Sequence, residues 1–208
     1  MFDEEFLKRA ILAAPAIFFS LTVHEYFHAW TALKFGDSTA KDLGRLTLNP
    51  LKHLDIMGTI MMFVSGFRFG WAKPVPVNPM NLRNPRVADI WISAAGPISN
   101  IGLAIIFGTM FRFYVQFGTV EAVAMFLQYA VLINIALACF NMIPLFPLDG
   151  SHILRNLLPE SYGPSLDKLD RVAPLILIAL IIFGVFGVIF GPLIGLLYAL
   201  FTGSPFYW

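Results

Sequence analysis

Apolar residues gather in four long runs, Ala10 to Phe35, Val87 to Val115, Ala122 to Phe146 and Val172 to Phe201. Each reaches or approaches the roughly 20 residues that a helix needs to cross a bilayer. A fifth run, Ile56 to Phe67, is too short to cross and predicts a segment that dips into the bilayer and returns, or a short buried element. Basic residues on both its flanks agree, since Lys and Arg collect on the cytoplasmic side: Lys34, Lys41, Arg45 and Lys52 precede it, and Arg68, Lys73, Arg83 and Arg86 follow. The same count puts Arg155, Lys168 and Arg171 inside, and the N-terminus and the turn from Arg112 to Glu121 outside. The pattern predicts an all-α multi-pass membrane protein with four to six transmembrane helices, forming a single integral-membrane domain over residues 1–208.

Composition makes lipid the expected solvent. Of 208 residues, 58% are hydrophobic and 13% charged, against roughly a quarter charged in a soluble domain. The net charge of +1 comes with no basic tract, which argues against nucleic acid as a partner. A single cysteine, Cys139, excludes an intrachain disulfide and leaves any metal to imidazole and carboxylate. Asp3, Glu4 and Glu5 precede Lys8 and Arg9 and no small-residue cleavage site follows, so the first apolar run reads as a retained helix, not a leader.

Against that background the pentad His24-Glu25-Tyr26-Phe27-His28 stands out, because it sets three ionisable groups inside the first apolar run. Such groups are costly in lipid and mark function more often than packing. On a helix the two histidines share one face and can grip one Zn²⁺ per chain, with Glu25 beside the open position. A catalytic zinc takes a third protein ligand. The best candidate is Asp149 in Asn141-Met-Ile-Pro144-Leu-Phe-Pro147-Leu-Asp149-Gly150, at the cytoplasmic end of the third run and so at about the depth of His28. Pro144 and Pro147 interrupt the helix there, and irregular backbone at membrane depth must be buried in protein or line a wet cavity.

Taken together, HEYFH at 24–28 and the pattern NxxPxxxxDG at Asn141, Pro144, Asp149 and Gly150 resemble the site-2 proteases, a family of zinc-dependent intramembrane metalloproteases. The likeness extends to AGPISN at Ala95 to Asn100 and to Gly66 to Asn78, and so covers most of the chain. It is to a compact form, with no PDZ insertion between Gln116 and Glu121 and no nucleotide-sensing domain after Phe201. The resemblance implies His24, His28 and Asp149 as zinc ligands, Glu25 as catalytic acid/base and Asn141 as a substrate-holding residue. It also implies transmembrane proteins as substrates, cut within or near their spans in a prokaryotic cell membrane, with the active site near the cytoplasmic side. The stretch from Phe67 to Asn78 resembles the family's membrane-associated β-hairpin. It is expected either to add a strand to an unwound substrate or to serve as an interfacial loop anchored by Trp71 and Lys73.

Two further histidines have two readings each. His152, three residues past Asp149, stands behind the ligands or merely perturbs them; His53 stands behind them or lies at the membrane interface. Gly96-Pro97 and Asn100 form a wall of the site or pack helices, and Gly187, Gly191 and Gly195 make a small-residue face suited to close packing. The last run, interrupted by Pro192, is one tilted helix or a broken pair. The competing function is a zinc-binding membrane protein without protease activity, such as a transporter. That reading expects ionisable groups along a path through several spans, whereas here they converge at one depth.

Overall fold

The computed structural model describes residues 4–66 and 70–206, with side chains of the first helix from Ala10 on. Helix α1, Glu4–Lys34, stops in a Schellman turn. The N–H of Gly36 reaches the carbonyl of Leu33 at 3.1 Å and that of Asp37 the carbonyl of Ala32 at 2.9 Å. Gly36 has φ 111°, a left-handed value that suits glycine. The turn delivers Asp37 to a buried position, beside the single turn α2, Thr39–Asp42.

Helix α3, Ile56–Val64, is capped by Asp55, whose carboxylate accepts from the Gly58 N–H at 2.8 Å. Its nine residues span only about 13 Å at 1.5 Å each, so it cannot cross. The chain dips and returns: Leu54 and Ala72, on either side of α3, form an antiparallel bridge, and the Lys73 N–H donates to the His53 carbonyl at 2.8 Å. A Cβ at Gly58 would lie 2.1 Å from the Trp71 carbonyl oxygen, so only glycine lets the returning backbone lie against the helix. Ile56, Met57, Ile60, Phe63 and Val64 remain exposed, an apolar surface suited to lipid. Of the expected hairpin, residues 67–69 lie outside the described residues. Among the described residues it has no named strand, only that bridge and an extended strap from Gly70 to Asn78.

Helix α4, Pro85–Phe117, starts with Asn84 as its cap and Pro85 in its first turn, a position where the missing N–H costs nothing. Helix α5 is Glu121–Asn141, and the prolines beyond it keep it from continuing. Helix α6, Asp149–Leu157, begins on the aspartate itself. A Cβ at Gly150 would meet the Met142 carbonyl oxygen at 2.4 Å, so the first turn of α6 presses onto the end of α5 only because residue 150 has no side chain.

The last apolar run is a broken pair, α7, Gly163–Ile182, and α8, Val185–Thr202. The break falls at Gly184, at φ 67°, while Pro192 sits inside α8. Of the small-residue face only Gly191 is buried; nothing lies within 4 Å of a Cβ at Gly187 or Gly195. Among the described residues four helices are long and apolar enough to cross a membrane: Ala10–Lys34, Pro85–Phe117, Glu121–Asn141 and Val185–Thr202. The fold is thus an all-α multi-pass membrane fold. Helix α4 is its axis, packing against α1, α5, α6 and α8. Ala104, Val131, Ile135, Cys139, Ile194 and Tyr198 fill the space between α4, α5 and α8, and Ala32, Ala88, Ile92 and Leu82 close the end of α1 against the start of α4.

Candidate metal centre

One face of α1 turns inward against α4 and carries both histidines of the pentad, each buried. Their Nε2 atoms lie 2.9 Å apart. From the start of α6, Asp149 brings Oδ2 to 3.2 Å from His24 Nε2 and Oδ1 to 3.4 Å from His28 Nε2. Donor atoms of all three residues fall within 4.8 Å of one another. Helix α4 approaches so closely that a Cβ at Gly96 would lie 2.5 Å from Nε2 of both histidines.

The remaining ring nitrogens point away from this cluster. His28 Nδ1 lies 2.6 Å from the Ile92 carbonyl, an acceptor, so Nδ1 carries the hydrogen and Nε2 a lone pair. His24 Nδ1 lies 2.6 Å from Asn100 Oδ1, which has the same consequence. Two lone pairs and a carboxylate therefore face one another, and Asp149 Oδ2 is buried with no hydrogen-bond partner among the described residues. Buried polar atoms are almost always paired, and a cation would pair these three. Two imidazoles and one carboxylate are a donor set that fits catalytic zinc.

Glu25 is buried beside His24, and its Oε2 accepts from the Val75 N–H at 3.0 Å. Val75 sits between Pro74 and Pro76, which have no N–H to offer, so this is the one donor of the triplet. The strap is clipped on both sides of it. Arg45 Nη2 donates to the Lys73 carbonyl at 2.6 Å, and the Asn78 N–H donates to Asp37 Oδ2 at 2.7 Å.

The structure thus brings His24, His28, Asp149 and Glu25 to one place and gives three other expected residues partners outside that cluster. Asn141, at the end of α5, donates from Nδ2 to the Leu137 carbonyl at 3.0 Å. His152 points its Nδ1 at Asp89 Oδ2, 3.3 Å away on α4, and that bond raises its pKa against the opposing effect of burial. The same two residues line a cavity of about 550 Å³ between the start of α4, the later part of α6 and the start of α7. His53 is 1% exposed, buried within the protein, and its Nε2 lies on the Thr47 carbonyl at 2.8 Å. Sequence reasoning passed over Asn134 and Ser20, both fully buried behind Asn100. An amide in the middle of a largely apolar span is a signal that would have found Asn134.

Comparison with known proteins points to one family of metalloproteases. Residues 110–184 match the profile of peptidase family M50. The chain is 44% identical over 160 residues to a Bacillus subtilis (strain 168) protein named "Putative zinc metalloprotease YwhC", covering 69% of this chain and 72% of the relative. A Mycolicibacterium smegmatis protein named in the same terms, Rip2, is 31% identical over 163 residues, 73% of this chain and 59% of its own. Zinc metalloprotease MJ0392 of Methanocaldococcus jannaschii is 29% identical over 148 residues, and the matched part is 34% of its length. No solved structure matches the chain.

Proposed function

This chain belongs to peptidase family M50 and is a zinc metalloprotease of the site-2 protease type, and from that premise we propose that it is an intramembrane endopeptidase that cuts transmembrane proteins within or near their spans. His24 Nε2, His28 Nε2 and Asp149 hold one zinc ion per chain, and Glu25 is the acid/base. The observation that carries the reading is the buried, unpaired carboxylate oxygen of Asp149 facing two imidazole nitrogens, with a buried glutamate next to one of them in the chain.

Bound zinc supplies Lewis-acid polarisation of the scissile carbonyl and of the attacking water. Glu25 takes the proton from that water and returns it to the leaving amine. The Val75 N–H fixes one carboxylate oxygen, Oε2, which leaves Oε1 to handle the proton. Asn141, with Nδ2 on the Leu137 carbonyl, offers Oδ1 to a substrate N–H. A substrate helix must unwind to expose a peptide bond, and the strap faces the unwound segment. The N–H groups of Lys73, Val75 and Asn78 are already committed and two prolines have none, so strand addition here cannot draw its donors from those five positions.

The site lies near the cytoplasmic face of a prokaryotic cell membrane. His28 is six residues, about 9 Å along the helix, from Lys34, and Lys41, Arg45, Lys52 and Arg155 gather at the same end. The cavity lined by Arg86, Asp89, His152 and Arg155 admits water and releases the cut end.

The test is cleavage of a panel of single-span substrates by purified protein in nanodiscs, with zinc assayed. The expected result is about one zinc per chain and cleavage that disappears in Glu25→Gln while zinc stays. Undiminished cleavage by Glu25→Gln, or a folded protein that takes up no zinc, overturns the reading.

A further inference from the structure

A polar thread crosses the interior from α5 through α4 to α1, and the reaction described above uses only its end. Asn134 donates from Nδ2 to the Ala130 carbonyl at 2.8 Å and to Ser20 Oγ at 2.8 Å. Its Oδ1 accepts from Asn100 Nδ2 at 2.9 Å, and Asn100 Nδ2 also lies 3.4 Å from the Ser20 carbonyl. Asn100 Oδ1 then meets His24 Nδ1 at 2.6 Å. Ser20, Asn100 and Asn134 are each 0% exposed, so no water competes for these bonds.

The thread has a direction, set at its far end. A carbonyl oxygen accepts and never donates, so the group that Asn134 turns to Ala130 is its amide nitrogen. Its oxygen is then left for α4, Asn100 must answer with nitrogen, and the oxygen of Asn100 must face His24. An imidazole nitrogen held against an amide oxygen is the protonated one. A backbone carbonyl on α5 thereby decides, two side chains away, that His24 keeps its hydrogen on Nδ1 and points a lone pair from Nε2 at Asp149. His28 reaches the same state in one step, from Nδ1 to the Ile92 carbonyl.

We infer that Asn134 is a positioning residue for the metal centre: acting through Asn100, it fixes the tautomer and ring orientation of His24 and so raises the affinity for zinc. The inference rests on the reading of His24 as a zinc ligand. Asn134 itself touches neither metal nor substrate. An amide that merely glued helices together would stabilise the fold without selecting a nitrogen of His24.

Zinc affinity, measured by chelator competition on the purified full chain, separates these roles. Asn134→Leu is expected to weaken binding about tenfold, the low end of the roughly 10–100-fold effect of groups behind a metal ligand. Asn134→Asp is expected to bind near the wild-type level, because a carboxyl oxygen, protonated or not, still accepts from Asn100 Nδ2. Ser20→Ala leaves the Ala130 carbonyl in place and is expected to bind like wild type. Wild-type affinity in folded Asn134→Leu, or Asn134→Asp as weak as Asn134→Leu, overturns the inference. Should Asn134→Leu not fold, ¹⁵N NMR of the histidine-labelled, zinc-loaded wild type decides: both ligand histidines are expected to keep a hydrogen-bonded Nδ1–H, and a His24 coordinated through Nδ1 overturns it. A wild type that binds no zinc fails differently, since it removes the metal site as well as the relay.

Discussion

Two buried aspartates, Asp37 just past the end of α1 and Asp149 at the start of α6, meet opposite fates. Asp37, 0% exposed, accepts from the N–H and hydroxyl of Thr39, from the Asn78 N–H at 2.7 Å and from Asn81 Nδ2 at 2.8 Å. Burial pulls its pKa up, and these bonds more than reverse that and hold it below the ordinary value. Asp149 keeps a buried oxygen with no hydrogen-bond partner and faces two lone pairs. A carboxylate that the chain itself satisfies is a fastener, here tying down the strap that holds Glu25. One that the chain leaves unsatisfied needs a cation.

The comparison breaks or holds most sharply on the pair Asp149→Asn and Asp37→Asn. Asp149→Asn is expected to weaken zinc binding by more than the roughly 100-fold ceiling of groups behind a ligand, while the metal-free protein melts no earlier. Asp37→Asn is expected to keep zinc and to lose about 2–3 kcal/mol of stability, because donors once paired with a carboxylate are left facing an amide. Chelator competition and thermal melting on both variants check this, and equal zinc loss in the two would end the distinction.

Gly96→Ala comes next. Alanine favours a helix interior over glycine by about 1 kcal/mol, yet its methyl would stand 2.5 Å from both Nε2 atoms. Zinc affinity is expected to fall by about 10–100-fold in a protein that remains helical by circular dichroism; unchanged affinity would place the ion elsewhere. Val75→Pro removes the N–H that holds Glu25. It is expected to lower kcat about tenfold, the worth of a charge-assisted hydrogen bond of about 1.5 kcal/mol, with zinc content unchanged, whereas Val75→Ala retains the donor and the rate.

The smallest effect is a pH dependence. Because Asp37 is held below its unfolded pKa, its stabilising bonds are fully present above that unfolded value, about 3.9. They are lost as pH falls through the lower, folded value. Melting temperatures of wild type and Asp37→Asn should therefore converge on acidification below about pH 4, and a gap that stays constant would assign the stability to another group.

Much of this was legible in the sequence because its signals are local. Run length and charge named the spans, and HEYFH needs only helical spacing to put two imidazoles on one face. The prolines at 144 and 147 announced the end of α5. The broken last run was legible only as an alternative: Pro192 drew attention, yet Gly184 carries the break because it alone there adopts a left-handed φ. The hairpin suggested for the strap has the composition of an edge strand, but its amides pair with Glu25, Asp37 and the His53 carbonyl instead of a neighbouring strand.

By itself the sequence determined the solvent, the helices and the donor types, since hydrophobicity, periodicity and side-chain chemistry are properties of each residue and its near neighbours. Which polar groups find partners was decided only in the tertiary structure. Asp149 lies 121 positions beyond His28, Asn134 lies 114 beyond Ser20 and Val75 lies 50 beyond Glu25, and contacts across such gaps depend on how helices pack. Asp37 and Asp149 are the same residue type, and only packing made one of them self-contained and left the other open to a metal.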